Sequence, residues 1–178
     1  MVNSSKYPPL LLKYLKMFQE NPRSKIFAPL AESYRKIGLV DEAIEICREG
    51  LAVHPDFIGG KVALARAYAD KQSYAQVRAL LAPIIEHVPD NLVAQRLLAD
   101  ACLSLGHVKE ALESYKMLLY FNPNDHEVVG VVHELETQAY QTGGLLRFEQ
   151  KPEKLRRLMR LQKMLNRVQQ VRTSLRGP

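Results

Sequence analysis

The 178-residue sequence has no apolar run long enough to cross a lipid bilayer. A membrane-spanning helix needs about 20 mostly apolar residues. The apolar run near the start is only three leucines long and is soon interrupted by Lys13 and Lys16. This segment also lacks the small-residue cleavage site of a secretory signal peptide, so we do not expect it to be one. We therefore expect a cytoplasmic protein.

Cysteine and metal-ligand patterns are also scarce. The two cysteines, Cys47 and Cys102, lie in apolar helical patterns, which favours reduced core residues over a disulfide or a zinc site. The five histidines are scattered, without the spacing of metal ligands. Neither Gly-Gly pair precedes the Lys-Ser or Lys-Thr of a phosphate-binding loop. We predict a non-catalytic chain with no catalytic residue, metal, cofactor or small-molecule substrate.

The net charge of +6 is distributed unevenly along the chain. Residues 147–178 contain ten basic and two acidic side chains, a net charge of +8, which leaves −2 for the rest of the sequence. The sequence therefore combines a nearly neutral body with a strongly basic C-terminal segment.

A proline recurs at equal intervals along the chain, at Pro55, Pro89 and Pro123. Between these prolines, apolar and small residues are spaced by 3, 4 and 7 positions, which is typical of helices with one buried face. A short break, such as Gly38-Leu39, divides each unit into two helices, and the proline ends the second helix. No stretch alternates with the period of two that a β-strand shows, so we predict an all-α protein.

This pattern resembles the tetratricopeptide repeat (TPR), a 34-residue helix–turn–helix unit with the pattern W-x2-L-G-x2-Y…A-x3-F…P. In the place of the family's tryptophan the sequence has Phe27, Lys61 and Gln95, and Val77 replaces one small residue. Pro29 and Pro83 fall within predicted helices, where they are expected to kink or shorten them.

The resemblance implies an α-α superhelical solenoid of three TPR units with N-terminal and C-terminal capping helices. Asn124 or Asp125 is predicted to cap the fourth helix, which has Glu136 where an aromatic residue would pack. The predicted segments are a half-repeat helix, three repeats, a fourth capping helix, and a Gly-Gly linker with a basic amphipathic helix: 1–23, 24–57, 58–91, 92–125, 126–142 and 143–178.

In this family the first helix of each pair lines a concave groove. Carried onto this sequence, the resemblance implies that the partner-binding groove is lined by Glu32, Arg35, Val62, Arg66, Ala69, Val93, Arg96, Asp100 and Leu103. Ala28 and Glu32 occupy the places where chaperone-binding relatives have a lysine and an asparagine that clamp a terminal carboxylate, so that clamp is absent.

We expect the groove to bind an extended peptide or an amphipathic helix of a partner protein, with Arg66 and Arg96 contacting acidic residues of that ligand. The alternative is a solvated face on which these arginines pair with Glu32 and Asp100.

The basic C-terminal segment is predicted to form one helix of about 36 Å. An apolar seam includes Leu161 and Val168, and the basic side chains of Arg156, Arg160, Lys163 and Arg167 cluster on another sector. This helix could cap the stack, contact an acidic protein or associate with another copy of itself. Nucleic acid and membrane are less favoured, because no aromatic residue follows Phe148.

These observations favour a cytoplasmic adaptor or scaffold in a bacterial motility, secretion or regulatory complex. One alternative is a chaperone that holds a secreted protein, like those of type III secretion. An alternative of another class is a tether to anionic membrane or nucleic acid through the basic segment.

Overall fold

A computed structural model describes residues 7–141, and the side chains of residues up to 138. The predicted basic helix, with Arg156, Arg160, Lys163 and Arg167, lies outside the described residues. The described residues form eight α-helices and no β-strand, which confirms the all-α prediction. The helices are α1 (Pro9–Glu20), α2 (Phe27–Lys36), α3 (Val40–Val53), α4 (Ile58–Asp70), α5 (Tyr74–His87), α6 (Leu92–Ser104), α7 (Val108–Phe121) and α8 (His126–Gln141).

The helices repeat with the same period as the prolines. The second helices α3, α5 and α7 begin at Val40, Tyr74 and Val108, and the starts of α4, α6 and α8 are separated by the same interval. The pairs α2–α3, α4–α5 and α6–α7 therefore fall within the three predicted repeats. One compact unit extends to Leu135 and contains α1 to α7 and most of α8, and the second unit begins at Glu136.

The two prolines inside predicted helices have different effects. Pro29 lies in the first turn of α2, where a backbone N–H has no helical partner, so the proline does not interrupt the helix. The helix is nevertheless shorter than α4, with 10 residues against 13. Pro83 lies inside α5, which nevertheless continues to His87. Asp125 is the residue that caps α8, since its Oδ1 accepts the Val128 N–H at 3.2 Å.

Small buried residues lie where the helices of a pair meet. Ala31, Ala65 and Ala99 occupy equivalent positions in α2, α4 and α6, and each is at most 1% exposed. Ala111 of α7 is equally buried. Because a methyl group adds little bulk, the paired helices can pack closely at these positions. The first helices also contact one another in succession, α2 with α4 and α4 with α6, so they share one face of the stack.

The turn inside each pair has the same hydrogen bonding in all three repeats. The N–H groups of Leu39, Ser73 and His107 each donate to the carbonyl oxygen five residues earlier, at 2.8–3.0 Å. This hydrogen bond is typical of a helix C-terminus at which one residue adopts a left-handed backbone conformation. That residue is Gly38 (φ 83°) in the first repeat and Gly106 (φ 77°) in the third, but Gln72 (φ 56°) in the second.

Phe27 fills the place of the family's tryptophan and is fully buried. Its ring meets Phe57 edge-on, with the ring centroids 5.7 Å apart, and stacks on the ring of His54 at 6.3 Å. Two glycines make room for it. A Cβ atom on Gly50 would lie 2.2 Å from the Phe27 ring, and one on Gly60 would lie 2.7 Å from it.

Replacement of Gln72 by glycine is expected to stabilise the protein. A left-handed conformation costs a residue with a Cβ about 1–2 kcal/mol, and the greater freedom of glycine in the unfolded chain offsets part of that gain. We expect the free energy of unfolding of Gln72→Gly, measured by urea denaturation, to rise by about 0.5–1 kcal/mol. Gly106→Ala, at the equivalent turn, should lower it. A loss of stability in Gln72→Gly would contradict this explanation.

Replacement of Gly50 by alanine is expected to destabilise the protein by about 1–3 kcal/mol, because the new methyl group would overlap the Phe27 ring. The matched control is Gly130→Ala in α8, where an added Cβ meets no atom within 4 Å. Alanine should stabilise that helix by up to about 1 kcal/mol. Urea denaturation measures both variants. If Phe27→Leu does not reduce the cost of Gly50→Ala in a double-mutant cycle, the overlap is not its cause.

Candidate functional site

Two adjoining depressions lie along the face shared by α2, α4 and α6, and we call this face the groove. The N-terminal pocket has a volume of about 330 Å³ and is lined by Ala28, Pro29, Glu32, Gly59, Val62, Ala63, Arg66, Asn91 and Val93. The C-terminal pocket has a volume of about 370 Å³ and is lined by Arg66, Leu92, Val93, Arg96, Leu97, Leu118, Asn122 and Asp125. Arg66 and Val93 line both pockets, so the two depressions are adjacent.

Five of the nine predicted groove residues line these pockets: Glu32, Val62, Arg66, Val93 and Arg96. The other four, Arg35, Ala69, Asp100 and Leu103, line neither pocket. Arg35 and Asp100 are nevertheless joined to the groove, because each forms an ion pair with a residue that lines a pocket.

Several lining residues were missed by the sequence-based prediction because they do not lie on the expected face of a first helix. Leu118 belongs to α7 and Asn122 follows it, so both come from the second helix of the third pair. Asn91 and Asp125 precede α6 and α8, and each accepts a backbone N–H of the helix that follows. The signal that could have found the last two is their capping position.

Apolar side chains remain exposed in the C-terminal pocket. Val93 is 42% exposed and Leu92 is 39% exposed. In α4, the residue equivalent to Val93 is Gly59, which has no side chain, and the residue equivalent to Leu92 is Ile58, which is partly buried. Large apolar side chains that remain exposed beside a depression are typical of contact surfaces.

In the N-terminal half of the groove, two arginines share two carboxylates. Arg35 donates to both oxygens of Glu32, at 2.8 and 3.1 Å, and its remaining terminal nitrogen donates to Asp70 at 2.8 Å. Arg66 lies 3.3 Å from Glu32. The hydrogen bonds from Arg35 lower the pKa of Glu32 below its ordinary value, although partial burial opposes them. The Glu32 carboxylate is therefore charged at neutral pH.

In the C-terminal half, Arg96 alone faces three carboxylates. Its Nη2 donates to Glu127 at 2.5 Å, and its guanidinium lies 3.8 Å from both Asp100 and Asp125. Asp100 has a second partner, because the Tyr115 hydroxyl donates to it at 2.6 Å. Burial raises the pKa of Tyr115, so that hydroxyl keeps its proton.

The ion pairs that the alternative interpretation predicted for the arginines are present. Arg66 pairs with Glu32, and Arg96 pairs with Asp100. The structure adds ion pairs to Asp125 and Glu127 that the sequence did not indicate.

The thiols do not have the properties of nucleophiles. Cys47 and Cys102 are fully buried and free. Burial raises the pKa of the Cys47 thiol to about 12 and that of Cys102 to about 11, so both thiols are protonated at neutral pH. Within residues 7–141, no group of three or more His, Cys, Asp or Glu side chains could hold a metal ion. No helix in the same part of the chain is both long and apolar enough to cross a membrane.

A family model described as "Tetratricopeptide repeat" matches residues 69–133. A curated relative, mouse anaphase-promoting complex subunit 7, is 26% identical over 102 residues, which is 57% of this chain but only 18% of the length of that protein.

Solved structures are similar over most of the chain. A structure of MamA from AMB-1 has a TM-score of 0.63 and 25% identity, and the match covers 75% of this chain and 78% of that one. The first TPR of Spaghetti (RPAP3), bound to the HSP90 peptide SRMEEVD, has a TM-score of 0.62 and 19% identity, covering 67% of this chain and 94% of that one. These similarities confirm the predicted superhelical fold of helix pairs.

Removal of the Glu32 carboxylate is expected to destabilise the fold in a pH-dependent way. Because its pKa in the folded protein is below its ordinary value of 4.5, its contribution is present above that pH and disappears as pH falls through the folded pKa. We expect Glu32→Gln to lower the free energy of unfolding by about 1 kcal/mol at pH 7. Urea denaturation at pH 7 and pH 3 measures this.

The control for this variant is Glu45→Gln, which neutralises an exposed carboxylate of α3 and should change stability little at either pH. A difference between Glu32→Gln and the unaltered protein that persists undiminished at pH 3 would contradict the assignment.

Proposed function

We propose that this chain, which is similar to tetratricopeptide repeat proteins over residues 69–133 and in its fold, is a non-catalytic cytoplasmic adaptor that binds a peptide or an amphipathic helix of a partner protein in its groove. The observation that carries the proposal is the pair of adjacent pockets along α2, α4 and α6, with Arg66 and Val93 lining both. An elongated ligand could place side chains in both depressions at once.

The exposed apolar residues support this site. Val93 and Leu92 would lose their contact with water when a ligand covers them. Burial of apolar surface is worth roughly 25 cal/mol per Å². Covering these two side chains with a ligand would therefore contribute favourably to the free energy of binding, which the surrounding ion pairs do not.

The solved relatives support protein binding as the class of function. Spaghetti (RPAP3) has been solved with a peptide of HSP90, and its fold is similar to that of this chain. The same ligand is not proposed here, because Ala28 and Glu32 stand where chaperone-binding relatives have clamp residues. The proposal keeps the setting that the resemblance implies, a bacterial motility, secretion or regulatory complex.

A second candidate, a tether to anionic membrane or nucleic acid, rests on the net charge of +8 in residues 147–178. Its binding would fall steeply with salt, because each phosphate contacted releases counterions.

The test is a pull-down from a lysate of the source cell, with identification of the retained proteins by mass spectrometry. We expect Val93→Gln to lose a partner that the unaltered protein retains, because it places a polar side chain where both pockets meet. The matched control is Val53→Gln, which alters a similarly exposed valine at the end of α3. Thermal unfolding should show that both variants fold.

A third arm uses a chain that ends at Leu146 and so lacks the basic segment. A partner that survives this truncation but not Val93→Gln establishes the groove as the binding site. A partner that survives Val93→Gln but not the truncation moves the function to residues 147–178 and contradicts the proposal.

A further inference from the structure

The charges of the groove do not balance. The ion-paired network contains three guanidinium groups, those of Arg35, Arg66 and Arg96, against five carboxylates: Glu32, Asp70, Asp100, Asp125 and Glu127. Its net charge is −2. The arginines expected to attract an acidic ligand are therefore outnumbered by carboxylates of the protein itself.

The excess negative charge is confined to one end of the groove. In the N-terminal half, Arg35 and Arg66 neutralise Glu32 and Asp70. Lys36 adds positive charge on the same side, and its charge helps to lower the pKa of Glu32. The surplus carboxylates therefore all lie around Arg96.

Arg96 carries a single positive charge and cannot neutralise three carboxylates. It lies within hydrogen-bonding distance of Glu127 only, while Asp100 and Asp125 are 3.8 Å away. Asp100 and Asp125 are held in place by other bonds, from the Tyr115 hydroxyl and from the Val128 N–H. Both donors are neutral, so they orient these carboxylates without neutralising them.

The negative site adjoins the apolar part of the C-terminal pocket. Asp125 and Arg96 line the same pocket as Leu92, Val93, Leu97 and Leu118. Arg66 also lines this pocket, but its charge is paired with Glu32. The side chain of Glu127 is 74% exposed and that of Asp100 is 52% exposed, so both are accessible to a ligand. A ligand that inserts an apolar side chain here would bring its neighbouring residues beside these carboxylates.

We infer that the C-terminal half of the groove binds a segment of a partner protein that carries a lysine or arginine next to an apolar anchor. The apolar side chain occupies the C-terminal pocket, and the cation lies against Glu127 and Asp100. This inference rests on the proposed function and specifies the chemistry of its ligand. This ligand is basic at the C-terminal end of the groove, whereas the sequence analysis predicted a ligand with acidic residues that contact Arg66 and Arg96.

The test uses the full chain and fluorescein-labelled 12-residue peptides that share their leucines and carry lysine, glutamine or glutamate at the polar positions. We expect the lysine peptide to bind most tightly in fluorescence anisotropy at low salt, and its advantage to shrink in about 0.5 M salt, where screening is strong. Val93→Gln should weaken all three peptides, because it alters the shared apolar contact.

Glu127 is the carboxylate to change, because its only partner within the network is Arg96, whereas Asp100 and Asp125 also hold structural bonds. We expect Glu127→Gln to weaken the lysine peptide about threefold, as for an exposed ion pair, and Glu127→Lys to weaken it further. Neither variant should weaken the glutamine peptide. The matched control, Glu45→Gln, removes the same charge from α3 and should leave all affinities unchanged.

Three results would overturn the inference: tighter binding of the glutamine or glutamate peptide, equal losses in Glu127→Gln and Glu45→Gln, or no binding of any peptide at millimolar concentration. If the glutamine peptide binds best and Val93→Gln abolishes its binding, groove binding survives and only the charge of the ligand is wrong.

A synthetic peptide of residues 151–176 is a further probe. If that peptide binds more tightly than the lysine peptide and depends on Glu127 in the same way, the ligand of the groove is this chain's own basic segment and not a partner protein.

Discussion

Close packing of paired helices at small buried residues is the constraint on which the rest of this structure depends. Ala31, Ala65 and Ala99 recur once in every repeat and are essentially inaccessible to water. A larger side chain at any of them would push the helices of that pair apart, because protein cores have little free volume. Each repeat packs mainly on its neighbours, so the shared face of α2, α4 and α6 inherits its geometry from these contacts.

Charged side chains add bonds between repeats that the apolar core does not provide. Arg35 bonds to Asp70, Arg78 bonds to Glu110 through two parallel hydrogen bonds, and Arg96 bonds to Glu127. The partners in each case are 31 to 35 residues apart, close to one repeat. Bidentate geometry fixes orientation as well as distance. The network in the groove thus orders the side chains that face a ligand.

The sequence predicted the repeat well because the relevant signals are local and periodic. The prolines, the small residues and the helical spacing of apolar residues all indicated where pairs of helices lie, and between residues 7 and 141 the structure has a helix in each predicted place. The left-handed conformation of Gln72 was not foreseen, since its chemistry gives no hint of it. Only its position, one repeat after Gly38 and one repeat before Gly106, carries that information.

The site was less predictable than the fold because it depends on contacts between distant segments. Helical periodicity identifies the face of α6 that carries Val93 and Arg96, but it cannot indicate that Leu118 and Asn122 complete the same pocket. Periodicity also cannot count the carboxylates that surround an arginine. Within α6, the only carboxylate that pairs with Arg96 is that of Asp100. The other two carboxylates come from distant positions in the sequence, Asp125 just before α8 and Glu127 in its first turn.

The surplus of carboxylates around Arg96 follows from two demands on the same residues. Asp125 caps α8, and loss of such a cap costs about 0.5–2 kcal/mol. Asp100 accepts a hydrogen bond from the hydroxyl of buried Tyr115, and removing that acceptor would leave a polar group unsatisfied. Stability alone therefore accounts for two of the three carboxylates. Glu127 is mostly exposed and has Arg96 as its partner in the network. Its charge stabilises the protein only modestly, through an exposed ion pair and its place in the first turn of α8. The negative potential it adds beside the pocket is therefore available for recognition of a ligand.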